Sequence, residues 1–162
     1  MSRTITLQAP SKTFNIPGLG CSFAVISDHA LRHSFRQAMG GIVPHVNTLG
    51  YTAAVAAYTS GEEWRRELII YLRQNRDLVM QAVANMPGLS VTPVEATYLA
   101  WIGTEKLKIQ QPGRFFEEAG VGLSDGRDFD GPGYVRLNFG CPHSVLIEIL
   151  RRMQMAITDR VT

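Results

Sequence analysis

A long amphipathic stretch between residues 60 and 86 constrains the fold of this chain more than any other feature of its sequence. Ser60 and Glu63 form the S-x-x-E pattern of a capping box, which marks the start of a helix. Pro87 and Gly88 mark its end. Between these signals, apolar side chains recur at helical spacing: Trp64, Leu68, Tyr71, Leu72, Leu78, Val79, Ala82, Val83 and Met86. Such a helix is long for a compact domain, and we expect it to link two.

The sequence before this helix predicts two strands and two further helices. The segments "TITLQ" (4–8) and "SFAVI" (22–26) have the apolar composition of short buried strands. The segment "DHALRHSFRQAM" predicts a helix with Ser27 or Asp28 as its N-cap. The segment "PHVNTLGYTAAVAAYT" (44–59) predicts a second helix, which is rich in alanine and is therefore expected to pack tightly.

The sequence after the long helix has a different pattern. The segments "LSVTP", "TYLAWI" and "YVRLNF" predict strands, and "GRFFEEAG" predicts a short helix closed by Gly120. The segment "LSDGRDFDGPG" has glycine and aspartate at turn positions and predicts a loop. From about Pro142 a final helix should bury Val145, Leu146, Ile149, Leu150, Met153 and Ile157. The simplest interpretation is an α/β fold, a layered part followed by a smaller α+β unit.

The composition is that of an ordinary globular protein. The net charge of +2 gives no argument for a nucleic-acid or membrane partner. The sequence has no run of roughly eighteen apolar residues, and its start lacks the apolar core of a signal peptide. Cys21 and Cys141 lie far apart and form no CxxC pair, which is typical of reduced cytosolic thiols. We therefore expect a cytoplasmic protein.

Two short motifs resemble ligand-binding loops but lack a required residue. The "SKT" segment matches the end of the phosphate loop GxxxxGK[ST], but Thr6 and Ser11 stand where that loop needs glycine. The "SDGRDFDG" segment has Arg127 where a calcium loop needs an oxygen ligand. The histidines form no ligand pattern either, and we expect no metal site: they are His29, His33, His45 and His143.

Lys12 is the only charged residue between Arg3 and Asp28, and small, hydroxylated and apolar residues surround it. This predicts a lysine set into a packed, turn-rich segment. Apolar surroundings lower the pKa of a lysine amine and free the lone pair that Schiff-base chemistry requires. The alternative is a lysine with a buried stem and a solvated amine, and composition alone favours that alternative.

Arg136 and Asn138 alternate with apolar residues in "YVRLNFG". The period of two places these two polar side chains on one face of a strand and Val135, Leu137 and Phe139 on the other. A planar guanidinium fork beside an amide suits a carboxylate. A solvent-facing strand edge explains the pattern equally well.

Together these segments carry a family resemblance. The segment "SKTFNIPG" resembles the lysine segment of fold-type I pyridoxal-phosphate enzymes of the class I/II aminotransferase superfamily. The segments "TITLQAPSKTFNIPGLGCSFAVI", "TYLAWI" and "VGLSDGRDFDGPGYVRLNFGCP" resemble more narrowly its cystathionine β-lyase and C–S lyase branch. The similarity covers essentially the whole chain. It implies a partial fold-type I architecture, in which residues 1–62 belong to the large domain and residues 63–162 form the small C-terminal domain.

The resemblance also implies roles for individual residues. Lys12 matches the lysine that holds pyridoxal phosphate as a Schiff base and later removes the substrate's Cα proton. Ser11 matches a residue beside the cofactor phosphate, and Arg136 matches the arginine that clamps the substrate's α-carboxylate. Tyr98 and Asn138 lie in matching segments that border the active site.

The implied reaction is β-elimination of thiols from cysteine thioethers such as cystathionine, which leaves pyruvate and ammonia. Its substrate is a small amino acid, and the enzyme is expected to be a homodimer. Two alternatives stay open. One is a class I/II aminotransferase, which begins with the same proton abstraction. The other is a non-catalytic remnant of such an enzyme.

Two departures from the family pattern shape this interpretation. Many superfamily members have an arginine that contacts the phosphate at the position where this sequence has Gly20. The C–S lyase branch resembles this sequence there. Family members are also much longer. The ring-stacking aromatic, the aspartate that pairs with the ring nitrogen and the glycine-rich phosphate turn have no counterpart here. We therefore expect a truncated member, from a gene fragment or from a split or mis-started gene.

Overall fold

The computed structural model describes residues 3–161, which divide into two compact units, one ending at Leu68 and the other beginning at Ile69. Assigning these units to the large and small domains stays a prediction. The strands and helices are β1 (Thr6–Gln8), α1 (Pro10–Thr13), β2 (Phe23–Val25), α2 (His29–Met39), α3 (Thr48–Ser60), α4 (Glu62–Ala84), β3 (Ser90–Val91), β4 (Leu99–Gly103), α5 (Pro112–Glu118), β5 (Ser124–Asp125), β6 (Tyr134–Asn138) and α6 (His143–Val161).

In the first unit, β1 and β2 pair in antiparallel orientation, with Leu7 opposite Ala24. Both strands occur where the sequence predicts them, but the prediction that they are buried is wrong. All three residues of β1 are exposed, and Leu7 is 68% exposed. A two-stranded sheet covers neither of its own faces, so these apolar side chains stay accessible within the unit.

Helix α2 confirms its prediction, because the Asp28 carboxylate caps it by accepting from the Leu31 amide at 2.8 Å.

Helix α3 begins four residues later than expected. Asn47 is its N-cap and accepts from the Gly50 amide at 2.8 Å. The prediction of tight packing is wrong for α3, since the only buried residues along it are Gly50 and Ala54.

Helix α4 does not use the predicted capping box. Ser60 is the last residue of α3, and Gly61 separates the two helices. A Cβ at Gly61 would lie 2.5 Å from the Ala57 carbonyl oxygen and 2.8 Å from the Phe14 ring, so the chain needs glycine there. The predicted inward residue Trp64 is 44% exposed. No helix described between residues 3 and 161, α4 included, could cross a membrane.

The second unit contains a four-stranded antiparallel sheet in the order β3-β4-β6-β5. Strand β6 confirms the predicted alternation, because Val135 and Leu137 are buried whereas Arg136 is half-buried and Asn138 exposed. The core joins this sheet to α4, α5 and α6 through Val79, Val83, Met86, Ala100, Ile102, Phe116, Val121, Val135, Leu137, Phe139, Leu146, Leu150, Met153 and Ile157.

Two details of this unit differ from expectation. Val145 was predicted to point inward but is 47% exposed, because the buried stripe of α6 runs through Leu146, Leu150 and Met153. The predicted loop "LSDGRDFDGPG" contains β5 and a single 3-10 turn, Gly126–Phe129. This turn lies directly before β6 in the chain and carries Phe129 toward Arg136.

Candidate functional site

Lys12 lies in α1, the short helical turn that follows β1. Pro10 begins the turn, where the missing N–H of proline costs nothing, and its carbonyl accepts from the Phe14 amide at 2.9 Å. Pro10 is also the buried residue of the turn, whereas Lys12 is exposed within its own unit. The prediction of a packed setting for Lys12 is therefore wrong, because a four-residue turn buries only its first position here.

An open cavity of about 870 Å³ in the first unit has Lys12 and Ser11 in its lining. Other polar residues of the lining are Cys21, Ser22, Arg36, His45 and Tyr51. A primary amine can condense with an aldehyde, and hydroxyl and guanidinium groups bind phosphate. The donor set therefore fits the aldehyde and phosphate of pyridoxal phosphate. Sequence reasoning missed Arg36, because nothing in its helical segment signals that it lines the same cavity as Lys12.

Gly20 lines this cavity where many superfamily members have a phosphate-binding arginine. Its φ of +57° lies in the left-handed region, which residues with a Cβ rarely adopt. An arginine at this position would be strained. Arg36 is thus the guanidinium that this cavity offers to a phosphate within the described residues.

Arg136 occupies the centre of β6, opposite Trp101 of β4 and Ser124 of β5. Its Nη2 donates to the Ser124 hydroxyl oxygen at 3.2 Å. Its guanidinium carbon lies 4.1 Å from the centroid of the Phe129 ring. Among residues 3–161, no acidic side chain forms an ion pair with Arg136. A half-buried guanidinium without an acidic partner can bind an incoming carboxylate.

Aromatic side chains surround this guanidinium. Trp101 stacks on Tyr134, with ring centroids 5.3 Å apart, and meets Phe129 edge to face at 6.1 Å. Trp101 and Tyr134 share the face of Arg136, because β4 and β6 pair in register. The outer face of the sheet therefore presents one cation in an aromatic setting, opposite the face that packs on the core.

Asn138 is the last residue of β6, and Tyr98 directly precedes the paired strand β4. The Asn138 side chain is exposed, and its Oδ1 accepts from the Gly140 amide at 2.9 Å. The Tyr98 carbonyl accepts from the Phe139 amide at 2.9 Å, and its half-buried ring packs on the core. Asn138 thus holds the turn after β6 as well as facing outward.

The carboxylate of Asp125, next to Ser124, forms an ion pair with Arg127. Asp125 accepts from Arg127 through Nε and Nη2, both at 2.9 Å. The Arg127 side chain, followed by the Arg127 backbone amide, holds the pKa of the Asp125 carboxyl below its usual value. Asp125 is therefore ionised at neutral pH and is paired with Arg127 rather than with Arg136.

Both cysteines, Cys21 and Cys141, are free thiols. Burial raises the pKa of the Cys141 thiol. Cys141 is therefore protonated at neutral pH and is a poor nucleophile.

The five predicted site residues fall into two groups. Lys12 and Ser11 are neighbours in the first unit. Arg136, Asn138 and Tyr98 belong to the second unit, the first two on β6 and Tyr98 directly before β4, the strand that pairs with β6. Their functional roles stay predictions. Sequence reasoning missed the partners of Arg136, which are Ser124, Phe129 and Trp101, because strand register and loop path decide those contacts.

Known proteins resemble this chain over most of its length. Residues 1–153 match the family model "Aminotransferase class I and II". The cystathionine beta-lyase PatB of Bacillus subtilis (strain 168) is 33% identical over 96% of this chain and 42% of its own length. The chain thus spans about two-fifths of the length of this relative.

Solved structures give the same result. A crystal structure of OvoB has a TM-score of 0.94 and 48% identity, and the match covers 96% of this chain and 41% of that one. Cystalysin from Treponema denticola, whose crystal structure contains a pyridoxal 5'-phosphate cofactor, has a TM-score of 0.89 and 32% identity, with 97% and 42% covered. These matches confirm the resemblance and the partial fold-type I architecture. The chain belongs to the class I and II aminotransferase family of fold-type I enzymes, in the branch that contains the cystathionine β-lyases.

Proposed function

We propose that this chain contributes the lysine and the carboxylate-binding arginine of a pyridoxal-phosphate-dependent C–S lyase. The observation that carries the proposal is the guanidinium of Arg136, which bonds to the Ser124 hydroxyl and lies over the Phe129 ring. It forms no ion pair with an acidic side chain in residues 3–161. Family membership supports the same assignment, since the relatives include named cystathionine β-lyases.

Lys12 is the residue that would hold the cofactor. When bound, pyridoxal phosphate supplies an aldehyde carbon for a lysine amine and a ring that accepts electrons from the substrate's Cα. The amine, the Ser11 hydroxyl and the Arg36 guanidinium line one cavity and suit those groups. The amine Nζ of Lys12 would also be the base that takes the Cα proton of the substrate. Ser11 and Arg36 bind phosphate oxygens.

Arg136 binds the α-carboxylate of the amino-acid substrate. Four of its five N–H donors remain after the hydrogen bond to Ser124, which is enough for a two-pronged contact. Asn138 and Tyr98 border the bound substrate. Fixing the carboxylate orients the Cα–H bond for proton removal, and this positioning contributes to the rate.

The net reaction breaks the Cβ–S bond of a cysteine thioether such as cystathionine. The sulfur leaves as a thiol after taking up a proton. The remaining amino-acid portion consumes one water and ends as pyruvate and ammonia, so atoms balance without an oxidant. We further propose a cytoplasmic homodimer as the working form.

Transamination is the second candidate, because the family model that matches this chain describes class I and II aminotransferases. Both reactions use Lys12 and Arg136 in the same way up to the removal of the Cα proton. They differ in the product, since an aminotransferase passes the amino group to a 2-oxo acid and leaves the Cβ–S bond intact.

A hybrid enzyme tests the proposal. In it, this chain replaces the matching 42% of the Bacillus subtilis cystathionine beta-lyase. We expect the hybrid to release pyruvate and thiol from cystathionine, and Lys12→Ala to abolish release while the fold persists. Lys106→Ala, at an exposed position in a 3-10 turn, is the matched control and should have no effect.

Two outcomes would contradict the proposal. Pyruvate release by the Lys12→Ala hybrid at the rate of the parent hybrid would remove the role of Lys12. Amino transfer to a 2-oxo acid without thiol release would favour the aminotransferase.

A further inference from the structure

We propose that Phe129 is a positioning residue for Arg136: its ring face holds the guanidinium so that one edge stays presented to a substrate carboxylate. This inference rests on the proposed role of Arg136. It concerns a residue that the sequence patterns do not single out, since Phe129 lies in a loop, outside the strand that carries Arg136.

The contact is a cation–ring pair, with the guanidinium carbon over the ring. The guanidinium carbon of Arg136 lies 4.1 Å from the Phe129 centroid, well inside the distance of about 6 Å at which such pairs attract. An arginine side chain is long and samples many rotamers when it is unsupported. Here the ring confines the plane of the guanidinium, while the hydrogen bond from Nη2 to Ser124 fixes its rotation within that plane.

Phe129 is itself held from both ends of its turn. Asp125 caps the turn by accepting from the Arg127 amide at 2.9 Å, and the Gly131 amide donates to the Gly126 carbonyl at 2.9 Å. Gly131 also packs on the Trp101 ring, where a Cβ would lie 2.5 Å from a ring carbon. The turn therefore brings the Phe129 backbone to one place beside the sheet.

Core packing does not explain this placement. The Phe129 side chain is 46% exposed and is absent from the buried cluster of the second unit. Its ring contacts are the Arg136 guanidinium and the edge-to-face contact with Trp101 at 6.1 Å. Its contact with the cation is therefore the feature that distinguishes this position from the buried aromatic residues of the core.

The test measures the order of the Arg136 side chain in the unliganded chain. Nitrogen-15 relaxation of the Arg136 Nε–Hε group is compared in wild type, Phe129→Leu and Phe129→Tyr. Leucine keeps an apolar side chain without a ring face, whereas tyrosine keeps the ring. We expect the order parameter to fall below about 0.6 in Phe129→Leu and to stay near the wild-type value in Phe129→Tyr.

Phe115→Leu is the matched control. Phe115 is a half-buried phenylalanine of the same unit, and Arg160 lies over its ring at 6.0 Å. The control should leave the order of Arg136 unchanged. An unchanged order parameter in Phe129→Leu, or an equal fall in Phe115→Leu, would overturn the proposal.

A second measurement links this order to carboxylate binding. Acetate is titrated into each protein, and the indole N–H signal of Trp101, directly opposite Arg136, reports binding. Phe129→Leu should weaken acetate binding about two- to fivefold, the range expected when an exposed cation–ring contact is lost. A loss of order with unchanged acetate affinity would refute the positioning role.

Arg136→Gln separates this inference from the proposed function. If acetate shifts the Trp101 signal equally in Arg136→Gln and wild type, Arg136 is not the carboxylate site and the proposed function fails. The relaxation data on Phe129→Leu still decide whether the ring orders the guanidinium.

Discussion

The side-chain amide of Asn75 donates to the backbone carbonyl of Phe139 at 2.9 Å, which ties helix α4 to the end of the strand that carries Arg136. The same amide donates to the Cys141 carbonyl at 3.0 Å, and its Oδ1 lies 2.9 Å from Nδ1 of His143. Asn75 is fully buried, with 0% exposure. One buried amide therefore fixes the segment between β6 and α6, where the backbone lacks regular partners.

Replacing Asn75 by alanine should destabilise the second unit. The Phe139 and Cys141 carbonyls would lose a buried donor, and an unsatisfied buried group costs about 1–3 kcal/mol. The free energy of unfolding, measured by urea denaturation, should fall by that order. Gln74→Ala, at the exposed neighbouring position, should change it by less than about 0.5 kcal/mol. Equal denaturation midpoints for the two variants would show that the Asn75 contacts contribute nothing.

Arg136→Lys in the hybrid enzyme should weaken substrate capture more than cofactor loading. Lysine keeps the charge but loses the two-pronged geometry, and one good charge-assisted contact is worth about 1.5–3 kcal/mol. KM for cystathionine should rise accordingly, while the cofactor absorbance stays unchanged. Arg114→Lys, whose side chain pairs with Glu118 on the surface of α5, is the control. An unchanged KM and kcat in Arg136→Lys would reduce Arg136 to a strand residue without a role in binding.

The 162-residue chain by itself should not form a competent bond with pyridoxal phosphate. Lys12 is exposed in its own unit, as are Lys106 and Lys108, so excess aldehyde can react with each. Competence also requires groups that hold the ring and protonate its nitrogen, and family members place these in segments without a counterpart in this sequence. Borohydride reduction after stoichiometric cofactor addition should label all three lysines, with no pyruvate released from cystathionine.

One outcome of the labelling experiment would contradict this prediction. Stoichiometric labelling of Lys12 together with turnover would refute the interpretation that the chain alone is a non-catalytic remnant. Lys12→Ala provides the control, because it should remove only its own share of a scattered label.

The Asp125 carboxyl should titrate below its ordinary value of 3.8, and this can be followed by carbon-13 NMR. The folded state lowers this pKa because Arg127 bonds the carboxylate form. The stabilisation of the turn is therefore complete above pH 3.8 and is lost as the pH falls through the lowered value. Arg127→Gln should move the pKa back toward 3.8, whereas Arg114→Gln should not. The Arg127 backbone amide still donates to Asp125 in this variant, so only a pKa equal to that of the wild type would disprove the role of the Arg127 side chain.

Sequence patterns predicted those features that depend only on residues close together in the chain. The alternation in "YVRLNF" predicts both the strand β6 and its two faces, because successive side chains of a strand point to opposite sides. Asp28 was a correct N-cap, since a cap depends on the next three residues. Helix boundaries were less secure, and Ser60 matched a capping box although the chain around Gly61 ends one helix there instead.

Burial and contacts between distant segments depended on the three-dimensional structure. The apolar strands β1 and β2 are exposed because burial requires a second layer, which no local pattern supplies. The segments around Lys12 and Arg136 single out these two residues, whose roles stay predictions, but the sequence says nothing of the Phe129 ring over Arg136 or of the hydrogen bond from Asn75 to Phe139. Those contacts join residues 7 and 64 positions apart, and strand register, turn path and helix rotation together bring them into reach.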